Sequence, residues 1–325
     1  MSTVAFSTPT PRSRATDIDG RTVAEGDPAT ASLDTVEAAH RHGVRVLRAA
    51  GVEEAWLDAL LLLMEVTRLD KATLLAYPQR RLAAGVADRY VDLLGRRARR
   101  EPTAYILGRC EFYGLEFAVD RRVLIPRPET EMLVDLALEA LRPYRPDVAR
   151  RRVVEVGTGS GAIAVSLLRT VPDLRLTATD CAAEALAVAR ANAARLGVAD
   201  RLELRHGDLL EPVEGSFDLL LANLPYVPRG RLPTLQPEVR DYEPRVALDG
   251  GPDGAEIIRR LLAQAARRLN PGGHLAVEVD SSHARAVADE ARRHFPDADV
   301  VVRRDPSGWE RVVHIHRPRR PTGPS

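Results

Sequence analysis

Asn223-Leu-Pro-Tyr226 is the stretch of this chain best equipped for chemistry on a nitrogen. The carboxamide oxygen of Asn223 accepts a hydrogen bond from an NH₂ group, and the Leu224 carbonyl, held extended because Pro225 follows it, accepts from the second hydrogen. Two fixed acceptors would then grip one planar amine. Tyr226 would lay its ring on the flat face of the same group, and Pro225 would keep the acceptors from rearranging as the reaction proceeds. An amide or exocyclic amine is a poor nucleophile because its lone pair is delocalised. Acceptors that pull both hydrogens favour a pyramidal nitrogen and stabilise the positive charge that grows as a new bond forms. Asn223, Pro225 and Tyr226 are the catalytic candidates, and Asn223, Leu224, Pro225 and Tyr226 the candidate substrate contacts. An Asn-Pro type turn is common, so the reading depends on where the loop sits.

A second constellation lies upstream. Val153-Val-Glu-Val-Gly-Thr-Gly-Ser-Gly161 reads as a strand, a glycine turn and the start of a helix. Glycine tolerates positive φ and lets a ligand approach the backbone, and the free N–H groups opening a helix suit a polar or anionic group. Leu174-Arg-Leu-Thr-Ala-Thr-Asp180 reads as the next strand, with Asp180 placed 19 residues after Gly161 to accept two ribose hydroxyls. Gly157, Gly159 and Ala162 also fit the dinucleotide fingerprint. Glu155 tilts the choice: a carboxylate there would repel a pyrophosphate but pair with the amino group of a methionine moiety. S-adenosylmethionine satisfies both ends.

Stepping outward along the chain, strands are expected near 174–179, 202–206, 217–222, 273–279, 298–304 and 310–316, with helices near 183–196, 254–269 and 281–294. The last two strands are joined only by Arg304-Asp-Pro-Ser-Gly308, too short for a parallel crossover, so they form an antiparallel hairpin at one edge of a mostly parallel sheet. That is an α/β, Rossmann-like architecture of the class I methyltransferase type. In such sheets ligands bind beyond the carboxyl ends of the strands, which brings Asn223 opposite the glycine turn. Residues 33–108 read as a small helical bundle, in which Arg96-Arg-Ala-Arg-Arg100 is expected to be a solvated helix end. Between Glu111 and Pro128 the pattern is of two β-like runs around a turn at Asp120. Residues 1–32 lack apolar periodicity and read as a disordered tail.

The 325 residues carry a net charge of +1 and 45% apolar residues. Near-neutrality argues against bulk electrostatic binding of nucleic acid. Cys110 and Cys181 match no metal spacing, so neither a metal nor a disulfide is expected. No run approaches the roughly 18 to 20 apolar residues that span a bilayer, and a cytoplasmic monomer is expected.

The chain resembles the peptide chain release factor glutamine methyltransferase family over about residues 33–316. The resemblance rests on Asp58-Ala-Leu-Leu-Leu, Glu101-Pro-Thr-Ala-Tyr-Ile-Leu-Gly-Arg109, Glu111-Phe-Tyr-Gly114, Leu124-Ile-Pro-Arg-Pro-Glu-Thr-Glu131, Gly157-Thr-Gly-Ser-Gly161, Asn223-Leu-Pro-Tyr226 and Tyr242-Glu-Pro-Arg-Val-Ala-Leu-Asp-Gly-Gly251. It implies that the substrate is the glutamine of the Gly-Gly-Gln motif in class I release factors. It also implies that Gly157, Thr158, Gly159, Ser160 and Gly161 line the methionine end of S-adenosylmethionine, beside Glu155, that Asp180 holds the ribose, that Asp208 and Leu209 border the adenine, and that Asn223 to Tyr226 hold the glutamine, with Asn223 also next to the cofactor. The implied organisation is a substrate-recognition domain at 33–108, a hairpin linker at 109–129, a methyltransferase domain at 130–317 and a tail at 318–325. Leu224 departs from the family's proline, which predicts slower turnover. Glu278-Val-Asp-Ser-Ser-His283 and Pro306-Ser-Gly-Trp309 depart as well. Competing readings are a nucleic-acid exocyclic-amine methyltransferase, a glutamine methyltransferase acting on a ribosomal protein, an NAD-dependent dehydrogenase, and a relative that binds cofactor without turnover.

Overall fold

The computed structural model describes residues 33–319; the expected tail at 1–32 lies outside them, as does all but residues 318 and 319 of the one expected at 318–325. The chain opens with five helices: α1 (Val36–Ala49), α2 (Ala55–Thr67), α3 (Lys71–Ala76), α4 (Val86–Ala98) and α5 (Thr103–Leu107). Thr35 caps α1 by accepting from the Ala38 amide at 3.2 Å, which supplies one of the partners a helix start lacks. Leu47, Leu60, Leu62, Leu63, Leu74, Tyr90 and Leu94 meet in one buried cluster. Gly43 lets α1 and α4 come together, because a Cβ there would sit 2.1 Å from the Tyr90 hydroxyl.

A hairpin of β1 (Arg109–Phe112) and β2 (Leu115–Ala118) follows. This corrects the turn expected at Asp120. The reversal is made by Tyr113 and Gly114, at φ 53° and 68°, the left-handed pair that matches the twist of a two-residue hairpin. With β1 already paired, residues 121–125 have no strand to join. Asp120 instead accepts from the Arg122 amide at 3.0 Å, and Val123 and Ile125 pack with Tyr105, Ala185 and Val188.

The remaining elements alternate: α6 (Glu131–Leu141), β3 (Val153–Val156), α7 (Ala162–Thr170), β4 (Leu176–Asp180), α8 (Ala183–Arg195), β5 (Leu202–His206), β6 (Phe217–Ala222), α9 (Pro237–Arg240), α10 (Glu256–Ala265), β7 (Leu269–Glu278), α11 (Ala284–His294), β8 (Asp299–Arg304) and β9 (Glu310–His316). The strands form one sheet in the order β5-β4-β3-β6-β7-β9-β8. It is parallel except for β9, which runs antiparallel to both neighbours. β3 is buried throughout, as a central parallel strand with helices on both faces must be. Val153 joins the core under α6 and α7, whereas Val154 and Val156 join the core under α10 and α11. β8 is the exposed edge, blunted by Asp299, Arg303 and Arg304.

The arginine run is not a solvated helix end. Arg97 is 6% exposed, its Nε donates to Asp58 at 2.7 Å, and its Nη2 donates to Glu238 at 2.8 Å. Arg100 makes two further bonds of 2.6 Å to Glu238, and Arg96 grips Glu101 bidentately at 2.8 Å. Asp58 and Glu238 lie in distant sequence, so local charge density could not reveal them. Glu238 thereby ties the helical bundle to the segment that follows the Asn223 loop. Glu238→Ala leaves two guanidinium groups short of a partner and is expected to cost about 2 kcal/mol, read as a lowered midpoint in thermal unfolding. An unchanged midpoint would show that this contact stabilises nothing.

Candidate active site

β3, β4 and β6 end side by side, and the strand order turns back between β3 and β6. Beyond those ends lies a cavity of ≈ 520 Å³. Of the residues expected there, Glu155, Gly157, Thr158, Gly159, Ser160, Asp180, Asp208, Leu209, Asn223, Leu224 and Pro225 all line it. Gly161 and Tyr226 are not among its lining residues. Gly161 serves packing instead: at φ 81° it opens α7, and a Cβ on it would lie 3.2 Å from the Ala189 Cβ on α8.

The glycine turn is held by two carboxylates. Glu155 Oε2 accepts from the Thr158 hydroxyl at 2.8 Å and from the Ala164 amide at 3.1 Å. Its second oxygen takes no hydrogen bond from the described residues and is the one available to a ligand. Burial pushes the Glu155 carboxyl up to about 8, against the pull of those two donors. Asp180 bridges the turn and the start of α8, accepting from the Gly159 amide at 2.8 Å and the Ala182 amide at 2.9 Å. Burial also raises its carboxyl, and these backbone N–H groups lower it.

At the far end, Leu209 sits at φ 48°. Its carbonyl accepts from the Thr179 hydroxyl at 2.9 Å, and the next amide, of Leu210, donates to Gln264 at 3.0 Å. Asp208 is paired with Arg260. The cavity has an acid at or just past the end of each of three adjacent strands, Glu155 of β3, Asp180 of β4 and Asp208 after β5, and an apolar wall made by Val123, Leu124, Ile163 and Ile257.

The acceptor loop has its own scaffold. Asn223 Nδ2 donates to the Thr130 hydroxyl at 3.0 Å, which leaves the carboxamide oxygen for a substrate. Leu224 is 4% exposed, and its Cδ2 lies 2.9 Å from where a Cβ on Gly157 would be. The side chain that replaces the family's proline is thus packed on the cofactor turn, and Gly157 has no room for a substituent. Tyr226 turns its hydroxyl to Glu278 at 3.1 Å, and burial together with that acid raises its phenol. Arg127, from the Ile-Pro-Arg-Pro-Glu-Thr-Glu segment, pairs with buried Glu243 at 2.5 Å, joining two of the motifs noted above. Thr130 and Glu278 were not picked out as site residues. Thr130 was signalled by its motif, and Glu278 by its position at the carboxyl end of the strand next to β6.

Residues 38–108 match the family described as the PrmC N-terminal domain, and residues 131–233 match the methyltransferase small domain. A release factor glutamine methyltransferase from Moorella thermoacetica is 45% identical over 87% of this chain and 99% of its own length. One from Bradyrhizobium diazoefficiens is 42% identical over 90% of this chain and 97% of its own length. The chain belongs to the release factor glutamine methyltransferase family. Its fold is that of a class I methyltransferase, its activity is methyl transfer, and its cofactor is S-adenosylmethionine. The dehydrogenase reading falls with that assignment. No helix among the described residues is long and apolar enough to cross a membrane.

Proposed function

We propose that this member of the family methylates the side-chain amide nitrogen of the glutamine in the Gly-Gly-Gln motif of class I release factors, as a cytoplasmic monomer. The observation that carries this reading is the orientation of Asn223, whose amino end is engaged by Thr130 at 3.0 Å. Its oxygen and the Leu224 carbonyl are then two acceptors for one NH₂. S-adenosylmethionine, when bound, supplies an electrophilic methyl group on its sulfonium. The chain's own part is to hold the amide nitrogen in line with that methyl, to exclude water with Leu224 and Pro225, and to stabilise the charge developing on nitrogen. Residues 33–108 are assigned to recognition of the protein substrate, since the cavity draws its walls from residue 122 onward.

The direct test offers radiolabelled S-adenosylmethionine together with a release factor, a ribosomal protein, tRNA and ribosomal RNA. Label on the release-factor glutamine is the expected result. Label on RNA or on the ribosomal protein would select one of the other readings.

Glu155 gives this reading a pH dependence. A carboxyl pushed up to about 8 is protonated at neutral pH until a cation comes beside it, and an ammonium favours the ionised form. Cofactor binding at pH 7 should therefore release a proton, and affinity should rise with pH until Glu155 is ionised in the free chain as well. Calorimetry in buffers of different ionisation enthalpy measures the release. Glu155→Gln should abolish it, and a parent chain that releases no proton at pH 7 would remove Glu155 from the ammonium site.

A further inference from the structure

We propose that Glu278, acting through Thr130, fixes which end of the Asn223 carboxamide faces the cavity, making both of them positioning residues for transfer to a primary amide. This rests on the reading of Asn223 as the holder of the substrate NH₂.

Glu278 ends β7 and is 1% exposed. Two hydroxyls donate to it, one to each oxygen: Thr130 to Oε2 at 2.7 Å and Tyr226 to Oε1 at 3.1 Å. Burial raises the Glu278 carboxyl, and these two donors pull it back down; each oxygen serves as an acceptor. Arg311, itself held by Asp305 at 3.2 Å, also lowers the Glu278 carboxyl, while Glu129 adds to the rise caused by burial. Thr130 has a single hydroxyl hydrogen, and Glu278 takes it. Only a lone pair of Thr130 is left to face Asn223, and a lone pair accepts solely from the N–H end of the carboxamide. The observed bond, Asn223 Nδ2 to Thr130 Oγ1 at 3.0 Å, has that polarity.

The consequence reaches the substrate. The two ends of a carboxamide are nearly the same size, so packing alone discriminates poorly between its two orientations. Turned over, Asn223 would present NH₂ to the substrate's NH₂, two donors with no acceptor between them. The Glu278 oxygen that takes the Thr130 hydrogen removes that alternative without touching the substrate. The same carboxylate also fastens Tyr226, so the loop is anchored at its first and last residues by one acid.

The experiment uses the full chain, a release factor as substrate, and four variants: Thr130→Val, Thr130→Ser, Asn223→Ala, and Thr130→Val combined with Asn223→Ala. Thr130→Val keeps the shape and loses the hydroxyl. It should lower kcat by about ten- to a hundredfold, by analogy with losing the group that orients a metal ligand, while affinity for S-adenosylhomocysteine stays near the parental value. Thr130→Ser should retain most of the parental kcat. Adding Thr130→Val to Asn223→Ala should cause no further loss, because there is no carboxamide left to orient. A slow Asn223→Ala beside a parental kcat in Thr130→Val would overturn the relay and leave the role of Asn223 intact. Losses that multiply in the double variant would overturn it too, whereas a parental rate in Asn223→Ala would remove the reading on which it rests. If Thr130→Val folds poorly, Thr130→Ala loses the same hydroxyl without crowding and must show the same fall in kcat.

Discussion

Asn223→Ala should slow methyl transfer to a release factor by on the order of 10²- to 10³-fold, the cost of deleting one preorganised hydrogen-bond partner from a transition state. The effect belongs in turnover and not in cofactor affinity, because the glycine turn is held by Glu155 and Asp180 and not by Asn223. With alanine, the Leu224 carbonyl remains as one acceptor, and the buried Leu224 side chain keeps the backbone against Gly157. The substrate can still enter, but one of its N–H bonds has no fixed acceptor. Only the Leu224 carbonyl is then left to offset the resonance lost as the nitrogen becomes pyramidal. Single-turnover rates at saturating cofactor report this directly. A parental rate in Asn223→Ala would make the loop a structural turn and end its assignment as the amide-holding site.

Much of this architecture was legible because it is written in short-range pattern. β5, β6 and β9 fall on the residues read for them: β6 shows the apolar run of a buried parallel strand, and β5 alternates apolar and polar residues as a half-buried edge strand does. The glycine turn and Asp180 were legible for a similar reason: positive φ at Gly157, Gly159 and Gly161 leaves few substitutes for glycine. Contacts between distant residues left no such local trace. Arg97 shows only a charge in its own neighbourhood, and its partner Glu238 is 141 residues away. Thr130 and Glu278 are 148 residues apart, and neither residue type alone signals a relay. The hairpin was misplaced because two adjacent β-like runs compete for one reversal. Tyr113, a non-glycine at positive φ, disguised the turn that won. Tyr226 was read as a ring laid on the substrate, whereas its hydroxyl is bound to Glu278 and it does not line the cavity.

These long-range bonds also change what the cofactor site should do when it is cut. Asp180 was expected to hold a ribose alone, yet its two oxygens already close the Gly159 amide and the start of α8 at 2.8 and 2.9 Å. Each carboxylate oxygen has a second lone pair, so the backbone bonds and two ribose hydroxyls can be accepted together. If Asp180 holds the ribose, as proposed, Asp180→Ala removes those contacts and also releases the Gly159 amide of the glycine turn. Charge-assisted hydrogen bonds contribute about 1.5 to 3 kcal/mol each, so losing two to the ribose weakens S-adenosylhomocysteine binding by at least about a hundredfold. Relaxation of the Gly159 amide adds to that loss. The same change should lower the thermal midpoint of the cofactor-free chain, because two backbone N–H groups lose their acceptor. Release-factor binding, assigned to the helical bundle and the Asn223 loop, should change far less. Calorimetry with S-adenosylhomocysteine, paired with a melting curve, separates the two contributions. Unchanged affinity with a lowered midpoint would leave Asp180 as a clamp on the turn and take the ribose from it; unchanged values in both would remove it from the site.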